Sequence, residues 1–196
     1  MINRLGITYP IIQAPMAGVS TPELAAAVSN AGALGSIAVG AVNADAARQL
    51  IQSTRALTDQ PFNVNLFCHQ SPQRSTEIER GWIEYLTPHF ARFDANPPNE
   101  LNEIYLSFLD DPNMLDVLLD EQPAVVSFHF GLPASTWIQQ LQNKGIVTLA
   151  CVTSLSEAQL AIAAGVDALV AQGIEAGGHR GIFDAQQDSG LTTMDL

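Results

Sequence analysis

Cations are scarce in this chain: 8 Lys and Arg stand against 20 Asp and Glu, for a formal charge of −12 over 196 residues. A nucleic-acid backbone needs clustered basic side chains, so a nucleic-acid partner is not expected. Docking on anionic membrane lipid is disfavoured on the same ground. Cysteine is also sparse. Cys68 and Cys151 alone cannot build a disulfide framework, which points to a reducing, cytoplasmic compartment. Met1–Gly6 opens no apolar run ahead of a cleavage site, so no secretory signal is expected. The longest apolar stretch, Ala25 to Val42, is broken by Ser29, Asn30 and several glycines, and reads as helix, turn and strand, not a membrane span. No G-x-G-x-x-G follows the first strand, and no Cys/His spacing suggests a zinc site.

What is present is an apolar core, with 47% hydrophobic and 14% charged residues. Six short segments read as strands buried on both faces: Ile11–Met16, Leu34–Val39, Phe62–Phe67, Ala124–Phe128, Ile146–Val152 and Ala168–Ala171. Continuous apolar runs of this kind belong to parallel sheets covered by helices. Helical patterns lie between them. Ser20 or Thr21 can cap a helix that has Pro22 and Glu23 in its first turn, an apolar stripe of Leu24, Ala27, Val28 and Ala31, and Gly32 as its stop. Ser154 and Glu157 have capping-box spacing ahead of Leu160, Ala161 and Ala164, with Gly165 as the stop. Further helices are expected over Asp45–Leu57 and Ser135–Asn143. Thr21 to Gly32 repeats the spacing of Ser154 to Gly165, and Gly32 to Gly40 that of Gly165 to Gly173. This is a weak internal repeat of a parallel α/β fold, either a doubly wound open sheet or a (β/α)8 barrel.

One stretch breaks the rhythm. Gln70 to Gln122 is polar, acidic and proline-bearing, with helices plausible at Thr76–Leu86 and Asn113–Leu119. It reads as an insertion at about 70–122, either an elaborated functional connection or an ordinary surface one. Trp82 and Tyr105 within it could cap a pocket or simply pack a helix.

Ligands of parallel α/β folds bind at the carboxyl ends of the strands. The residues to inspect there are Ala14–Gly18, Asn65–His69, His129–Gly131 and Gln172–Gly181, and they hold three of the four histidines. Gly177-Gly178 lets main chain approach a ligand closely and offers N–H groups to an anion. His179 beside it can exchange protons near neutral pH, and Arg180 adds a fixed charge. A plain glycine turn with a surface histidine, and Arg180 paired to Glu175 or Asp184, satisfies the same residues.

Taken together, these stretches resemble the nitronate monooxygenase family, formerly called 2-nitropropane dioxygenases. The resemblance is carried by Ile12-Gln13-Ala14-Pro15-Met16-Ala17-Gly18 with Ser20–Leu24, by Ser29–Gly35, by Asn63–His69 and by Val126–Gly131. The most specific stretch is Ala171-Gln172-Gly173 with Glu175-Ala176-Gly177-Gly178-His179-Arg180-Gly181. It implies an FMN-dependent (β/α)8 barrel that oxidises alkyl nitronates with molecular oxygen. It also implies roles. Ala14, Pro15 and Met16 would lie against the flavin ring, Asn65 and Gln172 would hydrogen-bond it, and Gly177 and Gly178 would pass close to it. His179 would be the active-site histidine. His129 would face the substrate pocket or be a structural histidine. Cys68 and His69 would position the loop, Cys151 would be core, and His89 would be solvated. A flavin-dependent enoyl-acyl-carrier-protein reductase has a similar histidine loop, although Arg180 and Cys68-His69 favour the nitronate group. A complete barrel takes about 250 residues and eight strands. The six strands placed in 196 residues imply a TIM barrel truncated after about six strands. That implies a piece of a longer polypeptide, a chain that closes its core by self-association, or an inactive fragment.

Overall fold

Two prolines decide how the chain enters its sheet. Pro10 and Pro15 flank Ile11–Ala14 and bring no N–H to a ladder. The strand expected at Ile11–Met16 therefore shrinks to a single parallel bridge, Ile12 to Leu34, in the computed structural model, which describes residues 1–196. The remaining expected strands form as β1 (Gly35–Ala38), β2 (Phe62–Phe67), β3 (Val125–His129), β4 (Val147–Val152) and β5 (Ala168–Ala171). Helices alternate with them: α1 (Ile2–Leu5), α2 (Pro22–Asn30), α3 (Ala44–Arg55), α4 (Thr76–Ala91), α5 (Pro112–Glu121), α6 (Ser135–Asn143) and α7 (Leu155–Ala164).

All strands are parallel and their spatial order is their chain order, β1-β2-β3-β4-β5. That order separates the two folds the sequence left open. A doubly wound sheet reverses direction at a switch point, whereas a sheet wound in one sense keeps its helices on one face, as a barrel does. The core obeys the second pattern. Ile37, Val64, Leu66, Val126 and Phe128 point to the helical layer and pack with Ala47, Ile51, Met114, Leu118, Ile138 and Leu141. Alternate residues point to the other, inner face. At its amino end Leu5 and Ile7 plug that face against Leu34, Val125 and Leu149, and Arg4 pairs with Asp167.

The helix starts read from sequence hold. The Thr21 hydroxyl accepts from Leu24 N at 3.2 Å and the Ser154 hydroxyl from Glu157 N at 3.2 Å, and Gly165 closes α7 in the left-handed conformation. The buried face of α2 is not the expected one. Ala25, Ala26 and Ser29 face the sheet, and Leu24, Ala27 and Ala31 are exposed. Close approach explains the inversion. A Cβ on Gly35 would strike the Ala25 carbonyl, so only small residues fit between α2 and β1. Ser29 Oγ uses the proximity, donating to Pro61 O at 2.8 Å and accepting from Gly35 N at 3.1 Å.

The insertion is also shorter than expected at 70–122. One compact unit comprises Met1–Gln70 with Leu106–Leu196, and a second is Ser71–Tyr105 alone. α5 belongs to the first. Its acidic residues mask a clean apolar face of Met114, Leu115, Val117 and Leu118 that packs into the core beside α3. The second unit is built around α4, where Trp82 stacks on Tyr85 and His89 lies beside it, with ring centroids 5.2 and 5.4 Å apart. No helix is long and apolar enough to cross a membrane. Gly35→Ala is expected to lower stability by at least about 2 kcal/mol, because the added methyl meets backbone that cannot give way. A urea midpoint unchanged from the parent chain would contradict this packing.

Candidate functional site

The inner face turns polar towards the carboxyl ends of the strands. Asn63 Nδ2 donates to Ser36 Oγ at 3.2 Å and Ser127 Oγ at 2.9 Å, and Asn65 Nδ2 donates to Ser127 Oγ at 2.9 Å. Buried amides of this kind are costly unless paired, and one atom is not: Asn63 Oδ1 has no partner. Phe67 and His129 end their strands beyond this row, and Cys151 lies on β4, buried.

Two segments border the strand ends. The first holds Ala14, Pro15 and Met16, with Ala14 and Met16 exposed. Ser20 shapes it, its hydroxyl accepting from Met16 N at 2.9 Å and Gln13 Nε2 at 3.0 Å and donating to Ala14 O at 3.3 Å. Gln13 in turn bridges to β1 through Ser36 N and Ser36 O. Neither role was visible in the sequence, because both run through main-chain atoms.

The second segment is the glycine-rich loop after β5. Gln172 folds it back: its Oε1 accepts from Gly181 N at 2.6 Å and its Nε2 donates to His179 O at 3.2 Å. Expected to hydrogen-bond a flavin, this amide also holds the loop. Arg180 pairs with neither Glu175 nor Asp184. It grips Asp188 at 3.0 and 3.1 Å and donates to the carbonyls of Gln172 and Gly173. Gly177 and Gly178 are exposed, with nothing within 4 Å of where a side chain would begin.

The loop brings His179 to the end of β3. The Phe130 ring lies edge-on to both histidines, its centroid 4.2 Å from His129 and 5.9 Å from His179, and 5.1 Å from Phe67. Phe130 adopts φ 68°, a left-handed conformation that costs a bulky residue about 1–3 kcal/mol. Gly131 follows at φ 147°, where a Cβ would collide with Cys68 O. Gly181 passes so near His129 and Cys151 that a Cβ there would sit 2.8 Å from either. Of the expected site residues, His129 and His179 meet through Phe130 at the end of β3, Gln172 follows β5, and Asn65 lies within β2, bonded to Ser127. His89 lies on α4 in the other unit.

Burial is the main reason that the His129 pKa falls from 6.5 to about 4. The charge of His179 adds to the fall, and hydrogen bonding to the His179 main chain opposes it. His129 is therefore neutral near pH 7. Burial also raises the Cys151 thiol to about 12, with the Glu157 charge adding and Arg180 opposing. It is not a thiolate nucleophile.

The family model for nitronate monooxygenase matches residues 1–195 of the chain. The chain belongs to the nitronate monooxygenase family. It is 62% identical over 184 residues to the nitronate monooxygenase of Paraburkholderia phytofirmans, covering 94% of this chain and 50% of that one. It is 58% identical to that of Pseudomonas aeruginosa, covering 98% and 55%. The crystal structure of a nitroalkane oxidase from Streptomyces ansochromogenes superposes with a TM-score of 0.80 at 41% identity, over 91% of this chain and 50% of that one. FabK from Thermotoga maritima superposes at 0.64 with 31% identity, over 91% and 45%. The chain spans about half the length of the curated relatives it matches. Within the nitronate monooxygenase family portion represented here, the sheet order is the barrel order and the histidine loop sits on its carboxyl-end rim.

The depressed His129 value has a sign that can be checked. A ring that binds its proton less readily when folded contributes full stability above pH 6.5, and loses it as pH falls towards 4. The loss amounts to about 3 kcal/mol. Urea midpoints of the parent chain and His129→Gln are expected to converge progressively over that interval. Parallel pH curves for the two proteins would contradict the lowered basicity of the ring.

Proposed function

We propose that this chain carries the cofactor-facing and histidine-bearing part of an FMN-dependent enzyme that oxidises alkyl nitronates with molecular oxygen, acting in the cytoplasm. The observation that carries this reading is the meeting of His179 and His129 on the Phe130 ring at the end of β3, with the exposed Ala14–Met16 segment also bordering the strand ends.

The residues present suit the cofactor. Asn63 Oδ1 is a hydrogen-bond acceptor left unused inside the chain. Gly177 and Gly178 offer open main chain, and Ala14 and Met16 an exposed shelf. Ala14, Pro15, Met16, Asn65, Gln172, Gly177 and Gly178 would hold FMN, which when bound supplies one-electron oxidation of the substrate anion and reaction with oxygen.

The chain's own groups supply the rest. His179, on the exposed side of the loop, takes a proton from the carbon of a neutral nitroalkane or donates a hydrogen bond to an anionic nitronate. His129, neutral and packed on Phe130, fixes the wall of the pocket and adds no competing positive charge. Arg180 is fully engaged by Asp188 and the main chain of Gln172 and Gly173, so it holds the loop and is not a free anion clamp.

The test places these residues in a barrel of the relatives' length. That protein is expected to purify yellow and to consume oxygen with a short alkyl nitronate. His179→Ala should lower turnover by about 10²–10⁴-fold while flavin absorbance per protein is retained. Reduction of an enoyl thioester by NADH, with no turnover of nitronate, would transfer the reading to the FabK-like alternative. Undiminished turnover in His179→Ala would remove the histidine from the mechanism.

A further inference from the structure

We propose that Glu157 is a positioning residue, the latch that holds the histidine loop closed against the end of β4. Its bearing on turnover rests on the reading of His179 given above, but the latch itself does not.

Glu157 stands in the first turn of α7 with the residue only 6% exposed. Its capping-box spacing suggested a bond back to the Ser154 main chain. The carboxylate instead does two other things. Oε2 accepts from Thr153 N at 2.6 Å and Thr153 Oγ1 at 2.9 Å, and Oε1 accepts from Phe183 N at 2.8 Å. One side chain thus joins the carboxyl end of β4 to the descending limb of the loop, two residues beyond Gly181. Ser189 Oγ donates to Thr153 O at 2.8 Å and closes the same limb again. Together with the Gln172 contacts on His179 and Gly181, both feet of the loop are tied.

The latch uses both oxygens of the side chain as acceptors. Donors approach both oxygens, so an amide of the same shape must turn its NH2 towards an N–H or O–H donor on one side or the other. Hydrogen bonds to a charged acceptor are also about twice as strong as neutral ones. Glu157→Gln therefore keeps the shape of α7 and releases one end of the loop.

The molecule contains its own reporter. Gly181 covers Cys151, whose Sγ lies 2.8 Å from where a Gly181 Cβ would sit. Cys68, 1% exposed, lies in the main core beneath β2 and β3. Opening of the loop exposes Cys151 alone, whereas global unfolding exposes both thiols. Alkylation of the native 196-residue chain, read by mass spectrometry at each cysteine, separates the two. In Glu157→Gln, modification of Cys151 is expected to speed up at least tenfold with Cys68 unchanged. Thr153→Val removes one donor but leaves Phe183 N on the carboxylate, and is expected to label as the parent does.

Equal acceleration at Cys68 and Cys151, no acceleration at Cys151, or the same selective opening in Thr153→Val would each overturn the latch. Should Glu157→Gln not fold, Glu157→Asp keeps the charge but is one methylene too short to span Thr153 and Phe183, and is expected to give the same Cys151-selective labelling. One reading needs no variant. The Phe183 amide proton of the parent chain should exchange at least tenfold more slowly than those of Gly177 and Gly178, and equal rates would overturn the proposal. None of these readouts involves flavin or nitronate, so the failure of the latch and the failure of the proposed activity are told apart.

Discussion

The geometry of the candidate site hangs on one side-chain amide. Gln172 is the first residue after β5, and its two polar atoms fold a glycine-rich loop back on itself through Gly181 N and His179 O. That fold sets where His179, itself exposed, stands. With it, the histidine reaches the end of β3, and Gly181 descends between His129 and Cys151, where no larger residue fits. Arg180 is drawn inward onto the Gln172 and Gly173 carbonyls by the same turn and is fixed there by Asp188. The arginine that looks like an anion ligand in the sequence is instead a tie rod, and the histidine beside it is left facing out.

A second constraint is the division of labour between the faces of the sheet. The outer face is mostly apolar and gives the fold its core, with Thr148 tied there to Gln142 and Asp167. The inner face is closed at its amino end by Leu5 and Ile7 and carries a row of amides and hydroxyls beyond them, with Phe67 at the end of β2. Stability and chemistry are thereby kept on different residues of the same strands. The cost is concentrated where the two meet. Phe130 holds a left-handed backbone, and the half-buried His129 is held without its proton. Strain and depressed basicity of this kind cluster where function needs a defined arrangement.

Strands were more legible in the sequence than helix faces. β2 and β5 coincide with the apolar runs that announced them, and the caps at Thr21 and Ser154 are where hydroxyls precede helical periodicity. The face of α2 was not legible, and that of α7 was legible only in part. Leu24 and Leu160 look like core residues and are exposed; α2 meets the sheet through Ala25, Ala26 and Ser29, where Gly35 leaves no room for leucine, and α7 through Ala161 of its expected stripe. The acidic residues of α5 likewise hid a core helix inside an apparent insertion. At the site, strand-end position and residue type drew notice to His129 and His179, while the roles of Asn65 and Gln172 came only with the family resemblance. Glu157, Ser20 and Gln13 stayed hidden because they act by binding main-chain N–H and C=O groups, whose positions no spacing rule supplies. The resemblance placed the chain in its family; the sheet order and the loop contacts explain why its motif residues lie where they do.

The central claim is that the histidine loop is folded onto the end of β3 in solution, and contacts between ring protons test it most directly. In nuclear Overhauser spectra of the chain labelled at Phe and His, the Phe130 ring is predicted to show cross-peaks to the rings of both His129 and His179. A cross-peak to His129 without one to His179 would show that the loop stands open, and would contradict the account.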